Sequence, residues 1–393
     1  MGPAPYRVRR RAPMPMSESS PKFNPAASAE SAGQRVVARA VGDFRRGQPV
    51  GLRAADRSAC VAVPAELVDE EALRRLAALG PVQVALTAQR TRVLNIAPTG
   101  AETVILELPD GADLDLLQAL ADPTADLDHP LMGPFRVADG AALEPAGAAL
   151  ILCKLARLLP AAAIAAVTAP EQPGPGGSDS DWLWIDADQA RQYGERAAAT
   201  LHKVSEARVP LQGAENARVI AFRPADGSTE HIAIVIGDPN RRDPVLVRLH
   251  SACFTGDLLS SLRCDCGEQL RGAITLMAEQ GSGVLIYLAQ EGRGIGLVNK
   301  LRAYRLQDQG HDTFAANQRL GFEDDERVFA PAARILDRLG FSRVRLLTNN
   351  PDKIQGLERH GIEVTERVPH AFPPNNHNEA YLATKGSRGG HLF

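Results

Sequence analysis

Cysteine is scarce in this chain, with five among 393 residues. That density excludes a disulfide framework, and a reducing, cytoplasmic setting is the expectation. Net charge is equally slight, at -3, so no global basic field points to nucleic acid. Long apolar runs are missing too. The longest, near 148–167, is broken by Lys154, Arg157 and Pro160, which marks a buried helix and strand rather than a membrane span. The basic start at 6–11 has no apolar stretch behind it and does not read as a secretory signal. What remains is an ordinary globular balance, 44% hydrophobic and 23% charged, in a chain long enough for two domains. Neither nucleic acid nor membrane is expected as a partner.

The clearest internal break is 171–181, where Gly, Pro, Ser and Asp sustain neither apolar period. The expected layout is a flexible tail at 1–34, a first domain at 35–170, a linker at 171–203, a second domain at 204–370 and a tail at 371–393. A helix is expected at 187–199. In the second half, strands at 217–222, 232–236, 245–250, 284–288 and 343–348 alternate with helices at 267–280, 331–339 and 351–360. Pro331 and Pro351 suit the first helical position. The first half reads as helices at 70–79 and 149–158 and strands at 82–86 and 103–108. The fold class is α/β (α+β), two domains, the second with a mixed sheet.

Four constellations carry chemistry, all in the second half. Cys253, Cys264 and Cys266 form a C-x10-C-x-C cluster. Thiolates suit zinc, and three ligands without a fourth fit an open catalytic site better than a closed structural one. Gln290 to Gly296 follows a strand and is rich in glycine, with Arg293 able to meet a phosphate or carboxylate. By itself such a turn is a weak signal; it has neither the Lys-Ser/Thr of a P-loop nor dinucleotide spacing. The third is Asp324-Asp325-Glu326-Arg327, which charge pattern alone would assign to a solvated face. The fourth, 346–353, passes from a strand to a polar turn and a Pro-started helix, where ligands often bind.

In their order and spacing the strings HSACFTGD, SLRCDCG, QEGRGIGL, NKLRAYRLQDQG, LGFEDDERVF and LLTNNPDK closely resemble GTP cyclohydrolase II, the first enzyme of riboflavin synthesis. The similarity covers about 204–369, with a fainter likeness around Asn378, Tyr381, Leu382, Thr384, Lys385, Gly390 and His391. What the resemblance implies is zinc-dependent hydrolysis of GTP by water, with ring opening at C8, release of formate and diphosphate, and a diaminopyrimidinone product. Cys253, Cys264 and Cys266 match the ligands of one zinc per chain, and magnesium would assist at the phosphates. Tyr304 matches the residue that assists at the ring. Arg327 and Asp325 match the pair at the α-phosphate, with Arg327 either a nucleophile or an electrostatic clamp. Arg248, Arg293 and Lys353 match phosphate-side positions. Leu249, His250, Ser251, Gln269, Glu291, Gly292, Thr313 and Thr348 match other substrate-side positions. One departure stands out: Ala252 occupies a place where the family has glutamate. A homodimer is expected. The open alternatives are a paralogue acting on another purine nucleotide, and a zinc-stabilised nucleotide-binding regulator.

The first half has a fainter likeness to dihydroxybutanone phosphate synthase, carried by 47–50, 65–67 and Leu155-Ala156-Arg157-Leu158. That family requires an acidic metal loop and a Gly-His-Thr-Glu string. Here the corresponding places read Asp56-Arg57-Ser58-Ala59-Cys60-Val61 and Gly147-Ala148-Ala149-Leu150, which removes magnesium binding and proton transfer together. The domain is expected to be catalytically dead, and a fragment beginning near Ala187 keeps all four constellations. No dihydroxybutanone phosphate should form from ribulose 5-phosphate at any magnesium concentration; its detection would overturn this reading.

Overall fold

A computed structural model describes residues 25–96, 100–109, 113–129, 132–138, 143–168, 182–379 and 390. Two seven-stranded sheets organise them. The first comprises β1 (Val50–Arg53), β2 (Ser58–Pro64), β3 (Val82–Thr87), β4 (Thr103–Glu107), β5 (Arg136–Val137), β6 (Ala161–Thr168) and β7 (Leu183–Asp186), in the order β5-β4-β3-β6-β2-β1-β7. Its pairings are antiparallel except β1 with β7.

Strand alternation divides this sheet into two apolar faces. Cys60, Ala62, Ala85, Ile105, Ala162 and Ile164 face one core, covered by α1 (Pro25–Phe44), α5 (Leu143–Ala156) and α6 (Ala187–Ala199). Val61, Val63, Val84, Leu86, Val104, Ala163 and Ala165 face the other. The helices α2 (Glu70–Ala77) and α4 (Leu114–Ala121) cover only part of that second face. The remainder lies under residues from far along the chain: Ile295, Ala303, Leu306, Ala316, Leu320 and Phe322. They belong to α8 (Leu297–Asp308), α9 (Thr313–Arg319) and the adjoining loops. The two halves therefore share one hydrophobic core. A short helix on the same sheet, α3 (Ala88–Val93), adds polar ties, with Thr87 at its N-cap donating to the Gly321 carbonyl at 2.8 Å.

The second sheet runs β14-β13-β11-β12-β10-β9-β8, comprising β8 (His202–Arg208), β9 (Ala217–Arg223), β10 (His231–Ile236), β11 (Val245–Ser251), β12 (Gly283–Leu288), β13 (Arg343–Leu347) and β14 (Glu363–Val368). It is mixed: β8, β9, β10 and β12 pair antiparallel in turn, whereas β11 is parallel to β12 and β13, and β13 to β14. One face packs on α7 (Cys266–Glu279) through Ala273 and Met277. The other meets α10 (Ala330–Leu339) and α11 (Pro351–Glu358). Asn350 caps α11 by accepting from the Asp352 amide at 2.9 Å, and Pro351 opens the helix where no amide donor is needed. The carboxyl ends of β11, β12 and β13 share one edge of the sheet, where α/β proteins place ligands.

The structure differs from the sequence reading at the boundaries. α1 begins at Pro25, inside the stretch expected as tail, because its Val37, Ala40, Val41 and Phe44 seal the first core. β7 and α6 occupy much of the expected linker; β7 extends the first sheet beside β1, and Gly51 has only hydrogen where the Trp184 ring crosses it. The break at 171–181 and residues 381–385 and 391 of the tail lie outside the described residues. A fragment beginning at Ala187 would uncover the apolar side of α8 and α9, which the first sheet buries.

His231 sits at the junction of the two halves. Its Nδ1 accepts from the Ala289 amide at 3.2 Å, so this nitrogen must be unprotonated. Burial, with a smaller contribution from the nearby Arg157 charge, pushes its pKa down to about 4. A histidine neutral in the folded state and protonated in the unfolded state weakens folding as pH falls. Stability should thus be full above about pH 6.5 and drop towards pH 4, by up to about 3 kcal/mol from this residue. Urea unfolding across that range should show the fall, and His231→Asn, which keeps an acceptor but cannot titrate, should flatten it.

Candidate active site

The cleft at the carboxyl edge is built from β11 outward. Arg248 is buried, donating through Nη1 to the Leu347 carbonyl at 2.9 Å and through Nη2 to Gln269. Burial pushes its pKa down to about 10, which leaves it a cation at neutral pH. Leu249, next on the strand, points into the opposite core, as alternation requires. Only its carbonyl serves the site, accepting from Lys353 Nζ at 2.7 Å. His250 Nε2 meets Asp257 Oδ1 at 3.0 Å, and its ring stacks on Tyr287 with centroids 5.6 Å apart. Asp257 Oδ2 also accepts from the Cys253 amide at 3.0 Å and the Tyr287 hydroxyl at 2.9 Å. One carboxylate thus ties strand β11 to the cysteine loop.

Three buried polar atoms along this strand end, Arg248 Nε, His250 Nδ1 and Ser251 Oγ, have no hydrogen-bond partner among the described residues. Buried polar groups are rarely left so, and water or a bound polar ligand would satisfy them.

The sulfur atoms of Cys253, Cys264 and Cys266 lie within 4.8 Å of one another, with no disulfide among them. A Cβ on Gly256 would stand 2.7 Å from Cys264 Sγ and 3.1 Å from Cys253 Sγ. Only glycine lets the backbone pass so close. Three free thiols gathered round one point, with a cation beside them, fit a thiophilic metal such as zinc. Hydrogen bonds from Cys264 and Cys266, with help from Lys300, hold the Cys253 thiol well below its usual range, while the other two are raised by sharing the site with it.

Lys300 is a site residue that sequence reasoning missed. Its ammonium is 3.0 Å from Cys253 Sγ, 2.9 Å from Thr255 Oγ1 and 2.8 Å from Glu291 Oε1. Burial favours its neutral form, but the bonds to Glu291 and Cys253 outweigh that and keep it charged. Glu291 also accepts from the Phe254 amide at 2.6 Å, so it closes the cysteine loop from behind and does not line the cleft. The available signal was spacing: Lys300 and Tyr304 are four apart on α8, one turn along the same face. Burial raises the pKa of Tyr304, opposed by its hydrogen bond with Thr255 and by Lys300. Arg263 lies 5.0 Å from the Tyr304 ring centre. Asp257, Asn317, Asn349 and His370 were also unforeseen.

Across the cleft, Asp325 accepts from Arg327 Nε at 2.8 Å and from its backbone amide at 3.0 Å. Despite burial, which opposes it, that arginine holds the Asp325 carboxyl below its ordinary value. Arg293 adopts a left-handed backbone after a left-handed Gly292, and its guanidinium lies 5.2 Å from the Phe314 ring centre. Thr348 is buried and accepts from the Asn350 amide at 3.0 Å. Thr313 opens α9. Arg248, His250, Ser251, Ala252, the three cysteines, Gln269, Gly292, Arg293, Tyr304, Thr313, Arg327, Thr348 and Lys353 all line this one cleft, together with Lys300. Asp325 stands behind Arg327 and Leu249 behind the strand.

Among its described residues the first half brings together no comparable cluster of possible metal ligands. Gly147 to Leu150 lie in the middle of α5, with Ala148 and Ala149 fully buried. Asp56 spends its carboxylate on its own turn, accepting from the Ser58 amide at 2.9 Å. Among the described residues the cysteine triad is the only cluster of its kind suited to a metal.

Comparison with known proteins agrees. The family model for GTP cyclohydrolase II matches residues 202–369. A GTP cyclohydrolase-2 from Azospirillum brasilense is 50% identical over 376 residues, spanning 93% of this chain and 95% of that one. The riboflavin biosynthesis protein RibBA of Phocaeicola vulgatus is 39% identical over 293 residues, 70% of this chain and 72% of its own. A two-domain 3,4-dihydroxy-2-butanone 4-phosphate synthase from A. baumannii aligns with 86% of this chain at 17% identity, but at a TM-score of 0.30 that likeness is too low to bear on the fold. With half its residues shared across nearly the full length of one such relative, and a cleft that gathers the motifs of its second half, the chain belongs to the GTP cyclohydrolase II family.

Proposed function

We propose that this chain hydrolyses GTP to 2,5-diamino-6-(5-phospho-ribosylamino)pyrimidin-4(3H)-one, formate and diphosphate, the first step of riboflavin biosynthesis. The observation that carries it is the placement of two chemistries in one cleft. A thiol triad with Lys300 and the cations Arg327, Arg248 and Lys353 all line it. Cys253, Cys264 and Cys266 would hold one zinc, which when bound supplies a Lewis acid and lowers the pKa of water. Lys300 offsets the negative charge of the thiolates. That role matters because three thiolates alone would leave the centre anionic and water less acidic. Tyr304, kept protonated, has a phenol to donate at the ring. Arg327 donates hydrogen bonds to Asp325 in a charge-assisted pair and stays cationic, which favours the clamp over the nucleophile. Magnesium would enter with the nucleotide phosphates.

Ala252 lines the cleft without a carboxylate, so one contact of the family's usual set is missing and GTP should bind without it. The enzyme is taken as a cytoplasmic homodimer; exposed Leu258, Leu259 and Leu262 between the first two cysteines offer apolar surface for it. No described helix is long and apolar enough to cross a membrane.

Purified protein given GTP and magnesium should release formate and diphosphate, and carry about one zinc per chain. Cys264→Ser should lose metal and formate release together; full activity of a metal-free preparation would sink the zinc assignment. Tyr304→Phe should lose formate release yet can retain diphosphate release, whereas Arg327→Ala should lose the latter. Lys300→Met should lower zinc retention or turnover about 10- to 100-fold. Normal metal content and rate in that variant would remove Lys300 from the centre.

A further inference from the structure

Leu155-Ala156-Arg157-Leu158 was singled out in the first half without a use there. The fold places it against the cleft. Arg157 follows the last residue of α5 with φ 66, a left-handed conformation in which glycine is usual at a helix end. Its guanidinium crosses to the second half, donating to the Gly294 carbonyl and, through Nη2, to the Ala289 carbonyl at 3.1 Å. Those carbonyls bracket the turn that carries Glu291 and Arg293. In return Asn299 Nδ2 donates to the Arg157 carbonyl at 3.1 Å. A Cβ on Gly296, itself at φ 90, would meet the Arg157 Cβ at 3.1 Å, so the two backbones are pressed together.

One turn earlier on α5, Lys154 Nζ meets Glu326 Oε1 at 2.6 Å. Glu326 stands between Asp325 and Arg327, and its amide donates to the Arg293 carbonyl at 3.1 Å. The Gly-rich turn and the Asp325–Arg327 segment therefore form one unit, held at two points by a single helix end. Other contacts between the halves, such as Arg302 with Glu66 at 2.8 Å and with Asp122 at 3.0 Å, attach to the far side of α8.

We propose that Lys154 and Arg157 are positioning residues for the cyclohydrolase cleft, Arg157 fixing the turn of Glu291 and Arg293 and Lys154 fixing the segment of Asp325 and Arg327. This rests on the reading of the cleft given above. The first domain thereby supplies part of the frame of the second. An arginine can span two carbonyls with one planar fork, whereas lysine cannot.

The test uses the full-length zinc-loaded chain with Arg157→Gln, Arg157→Lys, Lys154→Met and Lys154→Arg, measuring kcat and KM for GTP, bound zinc, and amide hydrogen exchange at 289–296 and 323–327. Arg157→Gln and Lys154→Met should lower kcat about 10- to 100-fold with a smaller change in KM, zinc retained and exchange faster in those two segments. Lys154→Arg should recover most of the loss; Arg157→Lys should not. Arg53→Ala, which breaks a pair with Asp186 inside the first domain, should leave kcat unchanged. If wild type turns over GTP and both disruptive variants match it, or if Arg53→Ala loses as much, the positioning role is overturned and the function stands. If wild type releases no formate, the functional reading fails instead, and unchanged exchange in the variants would then overturn the clamp. Should Arg157→Gln fail to fold, the Lys154 pair of variants decides.

Discussion

Three sulfur atoms within 4.8 Å of one another form a charge problem that the surrounding structure is arranged to solve. Thiolates at that spacing repel, and a half-buried cleft screens them poorly. The answer is Lys300, itself secured by Glu291 and Thr255. Lys300 can stand there only because α8 is anchored, and α8 is anchored by burying Ala303 and Leu306 against the first sheet. A chain of dependence runs from the sulfurs through one ammonium to a core shared by both halves.

The same logic explains the second strand of the design. β11 contributes side chains of opposite fates in alternation, Arg248 and His250 to the cleft, Val247 and Leu249 to the core. Asp257 then links β11, the cysteine loop and Tyr287 on β12 through a single carboxylate. A carboxylate with that many donors is fixed in place, and so are the groups it holds. The cleft is thus tied down on the side of the three cysteines.

Much of this was legible in the residues. The cysteine spacing, the alternating strands at 217–222 and 284–288 and the helix at 187–199 depend on local pattern, and local pattern is what a sequence displays. Lys300 was not legible, because a lysine on a polar helix ordinarily lies in solvent. Its burial comes with bonds to Cys253 and Thr255, more than forty residues back in the chain, and to Glu291 in the turn before its helix. Likewise, Leu306, Ala316 and Phe322 carry an apolar signal that says they are buried but not against what. β7 escaped notice because a four-residue strand beside a Gly- and Pro-rich break has too little length for a period to show. Arg157 stood out only as part of a faint likeness to another family, and only the fold reveals where its side chain goes.

The shared core has a consequence for how the first half can change over time. Side chains away from the junction could change freely, since every residue lining the cleft belongs to the second half. The shape of the first half could not change in the same way. Val61, Val84 and Leu86 face the sheet side that α8 and α9 help to cover, so a void there would be felt along α8, which also carries Tyr304 and Lys300. Such a domain is free to vary where it meets solvent while remaining bound, residue by residue, to the surface it presents.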